Sequence, residues 1–187
     1  MSYKYFRDPQ NFALICEEQG PCSICGEIGL WFDAQGFYGT QDLDSVCDAC
    51  LKSGKLIDLD ISTNDVRLDL VEKVFSNRKI LEELTNEIIY KTPSLPTWQD
   101  MSWPFVGEDF CIFEKIASKT DFVMDGEPNK KIFISSFSED DAKISDLDWL
   151  WEALPEHPIT NLKDGNYDVT IYLFSTGGKP FCTWDAS

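Results

Sequence analysis

The sequence predicts an α+β protein in which a small four-cysteine zinc module precedes a mixed α+β body. Three observations carry this prediction: two C-x₂-C pairs in the first third, helical periodicity over residues 62–91, and strand-like segments near the C-terminus. A chain of 187 residues is long enough to bury one ample core. We therefore divide it into a zinc module over residues 1–60 and a body over residues 61–187, with one continuous domain as the alternative.

The zinc prediction rests on Cys22, Cys25, Cys47 and Cys50, whose two pairs are separated by 21 residues. This is the spacing of a treble-clef or ribbon-like site, in which each pair forms a short turn that directs two sulfurs at one ion. Four thiolates fill a tetrahedral shell, so the expected cofactor is one structural Zn²⁺ per chain. A redox C-x-x-C is the alternative, but such a motif has no matching second pair.

In the zinc module we expect a hairpin of residues 30–32 with 36–38, then a short helix opening at Asp48 and ending at Gly54. Apolar residues at helical spacing predict two further helices over residues 62–91. Ser62 and Thr63 are candidate N-caps, Asn77 marks the break between the two helices, and the second ends by Thr92, before a proline.

In the second half, alternation over residues 132–137 predicts a strand, and Ser138 is placed to cap a helix that runs to about Leu154. Two strands, residues 167–174 and 181–184, close the chain as a hairpin.

Charge is the main indication of a partner. The chain has 33 acidic and 16 basic residues, a formal net charge of −17. Such a field repels nucleic acid and anionic lipid and attracts basic proteins. Nine acids against two lysines over residues 17–60 give a net −7, which argues against a nucleic-acid-binding zinc module. We expect neither nucleic acid nor a membrane as a partner.

The location expected from the sequence is cytoplasmic. No apolar run approaches the roughly 18 residues needed to span a bilayer. The first residues also lack the apolar region of a signal peptide. Seven cysteines, an odd number with four at metal spacing, indicate reduced thiols rather than a secreted disulfide framework.

The candidate docking face is the predicted helix after Ser138, where acidic residues surround two tryptophans. Two further tryptophans lie in the proline-rich segment 92–105, and tryptophan is enriched at interface hot spots. The alternatives are a solvated helix whose tryptophans face the core, and a packed loop that covers a core. The candidate partner-binding residues are Glu139, Asp140, Asp141, Asp146, Asp148, Trp149, Trp151, Trp98 and Trp103.

We expect no catalysis. The one histidine, His157, lies between Glu156 and Pro158 with no nucleophile motif, and no phosphate-binding or zinc-protease motif is present. The alternative functions are an enzyme, with a site near Asp109 and Cys111, or a regulatory interaction module.

Several short blocks follow one another along the chain: Tyr3–Pro9, Cys22–Gly26 with the following hairpin, Asp42–Asp44, Cys47–Gly54, Lys91–Pro93, Trp98-Gln99, Trp103, Gly107–Cys111 and Tyr172–Phe174. In this order the blocks resemble the CbrC family, bacterial proteins associated with colicin tolerance. Many members carry another cysteine pair after the closing strand, where this chain has residues 175–178, so a second metal site is not expected.

The resemblance implies a toxin-neutralising or immunity role. This agrees with the charge, because nuclease toxins are commonly basic and an acidic partner associates with them quickly. The predicted partner is therefore a basic bacterial toxin domain, with a nuclease as one candidate.

Overall fold

A computed structural model describes residues 2–164 and 168–186 and has a mixed α+β architecture. Its helices are short, and three brief 3-10 helices occupy Ile57–Leu59, Lys119–Asp121 and Leu162–Asp164. The α-helices are α1 (Pro9–Phe12), α2 (Asp48–Lys52), α3 (Leu68–Val74), α4 (Arg78–Lys91), α5 (Lys130–Ser135), α6 (Glu139–Ile144) and α7 (Leu147–Ala153).

The largest sheet is three-stranded and antiparallel, and several two-stranded pairs surround it. Its strands are β9 (Ile112–Ile116), β12 (Val169–Thr176) and β13 (Lys179–Ala186), with β12 in the centre. The pairs are β1 (Gly20–Pro21) with β2 (Ile28–Gly29), β3 (Phe32–Asp33) with β4 (Ser45–Val46), β5 (Asp65–Val66) with β6 (Ser102–Trp103), β7 (Phe105–Val106) with β8 (Asp109–Phe110), and β10 (Val123–Met124) with β11 (Glu127–Pro128).

The predicted closing hairpin is confirmed in β12 and β13, which pair from Val169 with Ala186 to Thr176 with Lys179. Gly177 and Gly178 form the turn with φ of 54° and 78°, values that favour glycine. The predicted first residue of this hairpin, Tyr167, lies outside the described residues.

The predicted hairpin of residues 30–32 with 36–38 is wrong. Phe32 and Asp33 pair instead with Val46 and Ser45 of β4, on the far side of residues 34–44. The buried Phe32 and Val46 side chains favour this register, which places Cys47 directly after the strand. Residues 34–37 form only a tight turn, closed by a hydrogen bond from Phe37 N to Ala34 O.

The predicted strand over residues 132–137 is wrong, because most of it is helix α5. The Asn129 side chain accepts from the backbone N–H groups of Lys131 and Ile132 and so caps this helix. Phe133 and Phe137 are four residues apart, and their rings contact each other edge to face. Short apolar runs do not distinguish strand from helix until such capping and packing are known.

The helix predicted from Ser138 to Leu154 is divided into α6 and α7. The Ser138 hydroxyl accepts from Asp141 N, so the predicted cap is confirmed. The helix then stops at Ser145, where the backbone is extended, and Asp146 caps a new helix by accepting from Trp149 N. A second capping residue inside the segment therefore divides it.

The helix α4 agrees with the prediction, since it begins after Asn77 and ends before Thr92. The preceding helix begins only at Leu68, so Ser62 and Thr63 are not its N-caps. The Thr63 hydroxyl donates instead to the carbonyl oxygen of Thr92, 2.6 Å away, at the end of α4.

One hydrophobic core contains side chains from both predicted parts of the chain. The ring of Phe6 packs edge to face on Phe113 of β9, with ring centroids 4.8 Å apart. On either side, Phe113 N donates to Tyr5 O and Arg7 N donates to Phe113 O. The N-terminal segment thus joins the cysteine-rich region to the sheet, and the division at residue 60 stays a prediction.

A second, smaller core lies between helices α5 and α7 and the sheet, and it includes Phe122, Phe133, Trp151, Ile171 and Cys182. Over residues 2–164 and 168–186, no helix combines the length and the apolar character needed to cross a bilayer.

Candidate functional site

The four predicted ligand cysteines lie together. The Sγ atoms of Cys22, Cys25, Cys47 and Cys50 are all within 4.8 Å of one another, and the Sγ atoms of Cys25 and Cys47 are 3.7 Å apart. Zinc–sulfur bonds of about 2.3 Å in a tetrahedron place neighbouring sulfurs about 3.8 Å apart. The cluster therefore fits a metal ion with four sulfur ligands.

The first pair forms a tight turn between β1 and β2. Cys22 N donates to Glu27 O and Gly26 N donates to Cys22 O, and both hydrogen bonds are 2.8 Å long. Gly26 has a φ of +76°, a conformation in which a side chain would be strained. The glycine therefore allows the chain to reverse directly after Cys25 and direct both sulfurs to one side.

The second pair opens helix α2. Cys47 is its N-cap residue, and Cys47 Sγ accepts from Cys50 N at 3.4 Å. Cys47 N in turn donates to Cys22 Sγ at 3.3 Å, which links the two pairs. The helix ends at Lys52 with Ser53 as its C-cap, so Gly54, predicted at the C-cap, lies one residue beyond it with a φ of +73°. Backbone N–H groups directed at sulfur stabilise thiolates, the form that binds metal.

The thiols of Cys22 and Cys50 have pKa values shifted in opposite directions. Burial acts to raise the pKa of Cys22, but hydrogen bonds from the backbone N–H groups of Cys25, Cys47 and Ile24 outweigh it and lower that pKa to about 7. Burial, followed by the hydrogen bond with Cys47, raises the pKa of Cys50. Metal binding at this cluster would release the remaining protons.

Contacts around the cluster hold it to the rest of the molecule. The Ser23 hydroxyl accepts from Asp44 N and Ser45 N, at 3.1 and 3.2 Å, and so joins the first turn to the segment before Cys47. The Tyr3 hydroxyl donates to Asp48 Oδ1 at 2.9 Å, which connects helix α2 to the N-terminal segment. These hydrogen bonds thus fix the two cysteine-bearing turns relative to the neighbouring segments.

The other three cysteines lie outside the cluster. Cys111 and Cys182 are fully buried, and burial raises the pKa of each thiol to about 12. Cys16 is half-buried. Cys111 and Cys182 pack as small apolar side chains, the usual state of a buried free cysteine.

Most of the predicted acidic docking residues are exposed on α6 and α7. Glu139, Asp140, Asp146 and Asp148 are exposed, while Asp141 is half-buried and accepts from the Ser138 hydroxyl. Lysines already lie close to two of the exposed carboxylates: Lys143 is 3.1 Å from Asp140, and Lys130 is 2.7 Å from Asp148. The charge of this face is therefore partly compensated.

The four tryptophans of the predicted partner surface divide into two exposed and two buried side chains. Trp98 is 69% exposed and Trp149 is 47% exposed. Trp103 is 1% exposed and its Nε1 donates to Cys111 O at 2.8 Å, and Trp151 packs on Phe133 in the smaller core. Trp103 and Trp151 therefore pack in the core, which was the alternative to a role in partner binding. Trp98 and Trp149 stay candidates for the partner surface.

The residues of the predicted enzyme alternative have different environments. Asp109 is exposed, accepts from the Tyr5 hydroxyl and lies 3.7 Å from Lys4 Nζ. Cys111, two residues later, is buried, and His157 is exposed. The buried thiol of Cys111 does not face solvent beside Asp109.

A surface cavity near the end of α4 was not foreseen from the sequence. It is lined by side chains from four separate segments, among them Tyr38, Asp65, Tyr90 and Asp100. The nearest sequence signal was the aromatic and proline-rich segment 92–105, which contributes one wall. A second wall, Ile89 and Tyr90, belongs to the predicted helix α4, whereas Tyr38 and residues 62–65 lie far away in the chain.

The fold and the cluster define a mixed α+β protein with a four-cysteine site that could bind a metal ion. More specifically, the chain belongs to the uncharacterised protein family UPF0167, whose family model matches residues 1–175. The match includes all four clustered cysteines. No curated protein and no solved structure matches the chain.

Proposed function

We propose that this protein is a non-catalytic, zinc-stabilised binding protein that neutralises a basic bacterial toxin domain by direct contact. The observation that carries the zinc-stabilised, non-catalytic part of the proposal is the closed set of four cysteine sulfurs within 4.8 Å of one another. Four thiolates leave no coordination position for water or substrate, which is the arrangement of structural rather than catalytic zinc.

The proposed zinc ion completes a treble-clef-like module. The first cysteine pair forms a turn, β3 and β4 pair across the connecting segment, and the second pair begins helix α2. In this region the strands are only two residues long and α2 has five residues, so few backbone hydrogen bonds hold it. One ion per chain supplies the missing cross-link and couples metal binding to folding.

The proposed docking face is formed by the exposed residues of α6 and α7. Trp149 and Ile144, which is 83% exposed, supply apolar area among the carboxylates. A basic partner would contact both, because its cations complement the acids while its apolar side chains cover Ile144 and Trp149. The net charge of −17 would also accelerate the encounter.

The toxin as partner rests on the resemblance to the CbrC family and on charge. A nuclease toxin needs a basic surface to hold its nucleic acid, and an acidic protein can cover that surface. Location in the cytoplasm, where such a toxin acts, is part of this proposal.

The absence of catalysis is likewise part of the proposal. The thiol of Cys111 is buried with a raised pKa, so little thiolate is present at neutral pH to act as a nucleophile. His157 is exposed in the segment after α7.

Metal analysis of the purified protein tests the zinc site. We expect about one zinc per chain, and loss of the metal in Cys25→Ser, an exposed position at which core packing is little changed. The matched control is Cys16→Ser, outside the cluster, which should keep its zinc. Absence of stoichiometric metal from a folded wild-type protein would overturn the zinc proposal.

Titration against a panel of inactivated basic toxin domains tests the binding function. The cognate domain should bind in the nanomolar range, with an association rate that falls as salt is added. Replacing Glu139, Asp140 and Asp148 by their amides should slow association, whereas the same change at Glu17, Glu18 and Glu27, which alters the net charge equally, should slow it less. A panel without any tight partner would contradict the proposal.

A further inference from the structure

A cavity of about 430 Å³ opens between the segment before β5, the C-terminal end of α4 and residues 94–101. None of its lining residues is a cysteine of the cluster or belongs to α6 or α7. Its volume falls within the range of about 300–1,000 Å³ found for ligand-binding clefts. The cavity therefore needs an explanation that the proposed docking face does not supply.

The lining has two chemically different parts. Leu95, Met101 and the rings of Tyr38 and Tyr90 provide apolar and aromatic walls. Asp65 and Asp100 provide two carboxylates at the same cavity. Such a lining matches a ligand that has an apolar stem and a polar head.

Among the described residues, neither carboxylate forms an ion pair, although Arg67, which pairs with Asp69, lies near Asp65. The Tyr38 hydroxyl donates to Asp100 Oδ1 at 3.0 Å, and the Ser102 hydroxyl donates to Asp65. None of the ion pairs within the described parts of the chain includes either aspartate. Each carboxylate thus has acceptor positions that its one hydroxyl donor leaves free, which disfavours an anionic ligand and favours a cationic one.

The walls are held in place before any ligand binds. The buried Asn64 side chain donates to Thr92 O and Pro93 O, each at 3.2 Å, and accepts from Leu95 N at 3.1 Å. The end of α4 and the start of the 94–101 loop are therefore fixed to the same residue. A cavity with preformed walls lowers the ordering cost of binding.

We propose that this cavity binds a single lysine or arginine side chain of a protein partner, with the alkyl stem between Tyr38, Tyr90 and Leu95 and the cationic head at Asp65 and Asp100. A cation over tyrosine rings gains a further attraction from the ring faces. The inference rests on the proposed function only in taking the partner to be basic. It adds to the α6–α7 face a second contact with the partner, in which one side chain of the partner enters the cavity.

Nuclear magnetic resonance titration with a small probe tests the cavity without the toxin. The probe is the blocked peptide acetyl-Gly-Gly-Arg-Gly-Gly-amide, and the control peptide carries neutral citrulline in place of arginine. We expect saturable shifts of the Asn64 and Leu95 backbone amide signals with the arginine peptide, at a dissociation constant on the order of 1 mM. The citrulline peptide should bind at least about threefold more weakly.

Two single substitutions with the same charge change separate this site from the docking face. Asp100→Asn keeps an acceptor for the Tyr38 hydroxyl but removes the charge, and it should weaken the binding of the arginine peptide at least about threefold. Asp140→Asn, on α6, should leave its affinity unchanged. Shifts confined to α6–α7, or equal binding of both peptides, would overturn the inference while leaving the toxin proposal intact. Arginine-specific shifts at the cavity would support it even if every toxin domain failed to bind.

Discussion

The backbone N–H of Trp98 donates a 2.7 Å hydrogen bond to Oδ2 of Asp185, a buried carboxylate on the last strand. The Tyr172 hydroxyl, on the neighbouring strand, donates to the same oxygen at 3.0 Å. Gln99 then donates to Ala186 O at 2.7 Å. The loop that carries the exposed Trp98 is thus fixed to the central sheet, although its own sequence has no regular pattern.

Replacing Asp185 should therefore destabilise the protein. Asp185→Ala leaves the Trp98 N–H without its acceptor and the buried Tyr172 hydroxyl with only Pro96 O, 3.0 Å away, which should cost about 1–3 kcal/mol in urea unfolding. Asp185→Asn, which retains one oxygen acceptor of the same shape, is the control and should cost less. Equal losses in the two variants would mean that the hydrogen bonds are not the cause.

The two tryptophans of the 98–103 segment should differ in their effect on stability. Trp103 packs on Phe6 and Phe174 in the main core, so Trp103→Ala should lower the free energy of unfolding by about 3–5 kcal/mol. Trp98→Ala removes an exposed ring and should change it by less than about 0.5 kcal/mol. Chemical denaturation of both variants checks this, and similar losses would contradict the burial described above.

Gly26 and Gly36 provide a matched pair for the first cysteine turn. A Cβ at either position meets open space, but only Gly26 has a positive φ, +76°. Gly26→Ala should cost about 1–2 kcal/mol from backbone strain and weaken zinc retention in a chelator competition. Gly36→Ala should be neutral or slightly stabilising, because alanine restricts the unfolded chain. Loss of zinc in both variants would show that backbone strain is not responsible.

The buried tyrosines should make stability fall at high pH. Burial, and then the neighbouring carboxylate of Asp185, raises the pKa of Tyr172. Burial also raises the pKa of Tyr3, which hydrogen-bonds to Asp48, and of Tyr5, which hydrogen-bonds to Asp109. A raised pKa in the folded protein means that folding favours the protonated tyrosine. The resulting contribution to the stability of the folded state is complete below the ordinary tyrosine pKa of about 10 and is lost as the pH rises above that value.

Ultraviolet titration should accordingly find the tyrosinate signal delayed in the native protein relative to the protein in guanidinium. Tyr172→Phe has no ionisable group at that position, so its stability should fall less than that of the wild type between about pH 8 and about pH 11. Parallel losses in the two proteins would assign the effect to other groups.

The sequence by itself determined the features whose interactions are local. The cysteine site was predicted because each C-x₂-C pair forms its own turn, and the pair spacing needs no knowledge of the fold. Helix α4 was predicted because its caps, Asn77 and the proline after Thr92, are adjacent to it. The closing hairpin was predicted because its strands are joined by a short glycine turn.

Only the tertiary structure decided the features that depend on distant partners. β3 pairs with β4 across residues 34–44, α5 is a helix because Phe133 packs on Phe122 and Trp151, and Trp103 is buried while Trp98 is exposed. The cavity likewise brings together Tyr38, Asp65 and Asp100 from distant parts of the chain. Such packing depends on which apolar surfaces meet, and a local pattern of residues does not contain that information.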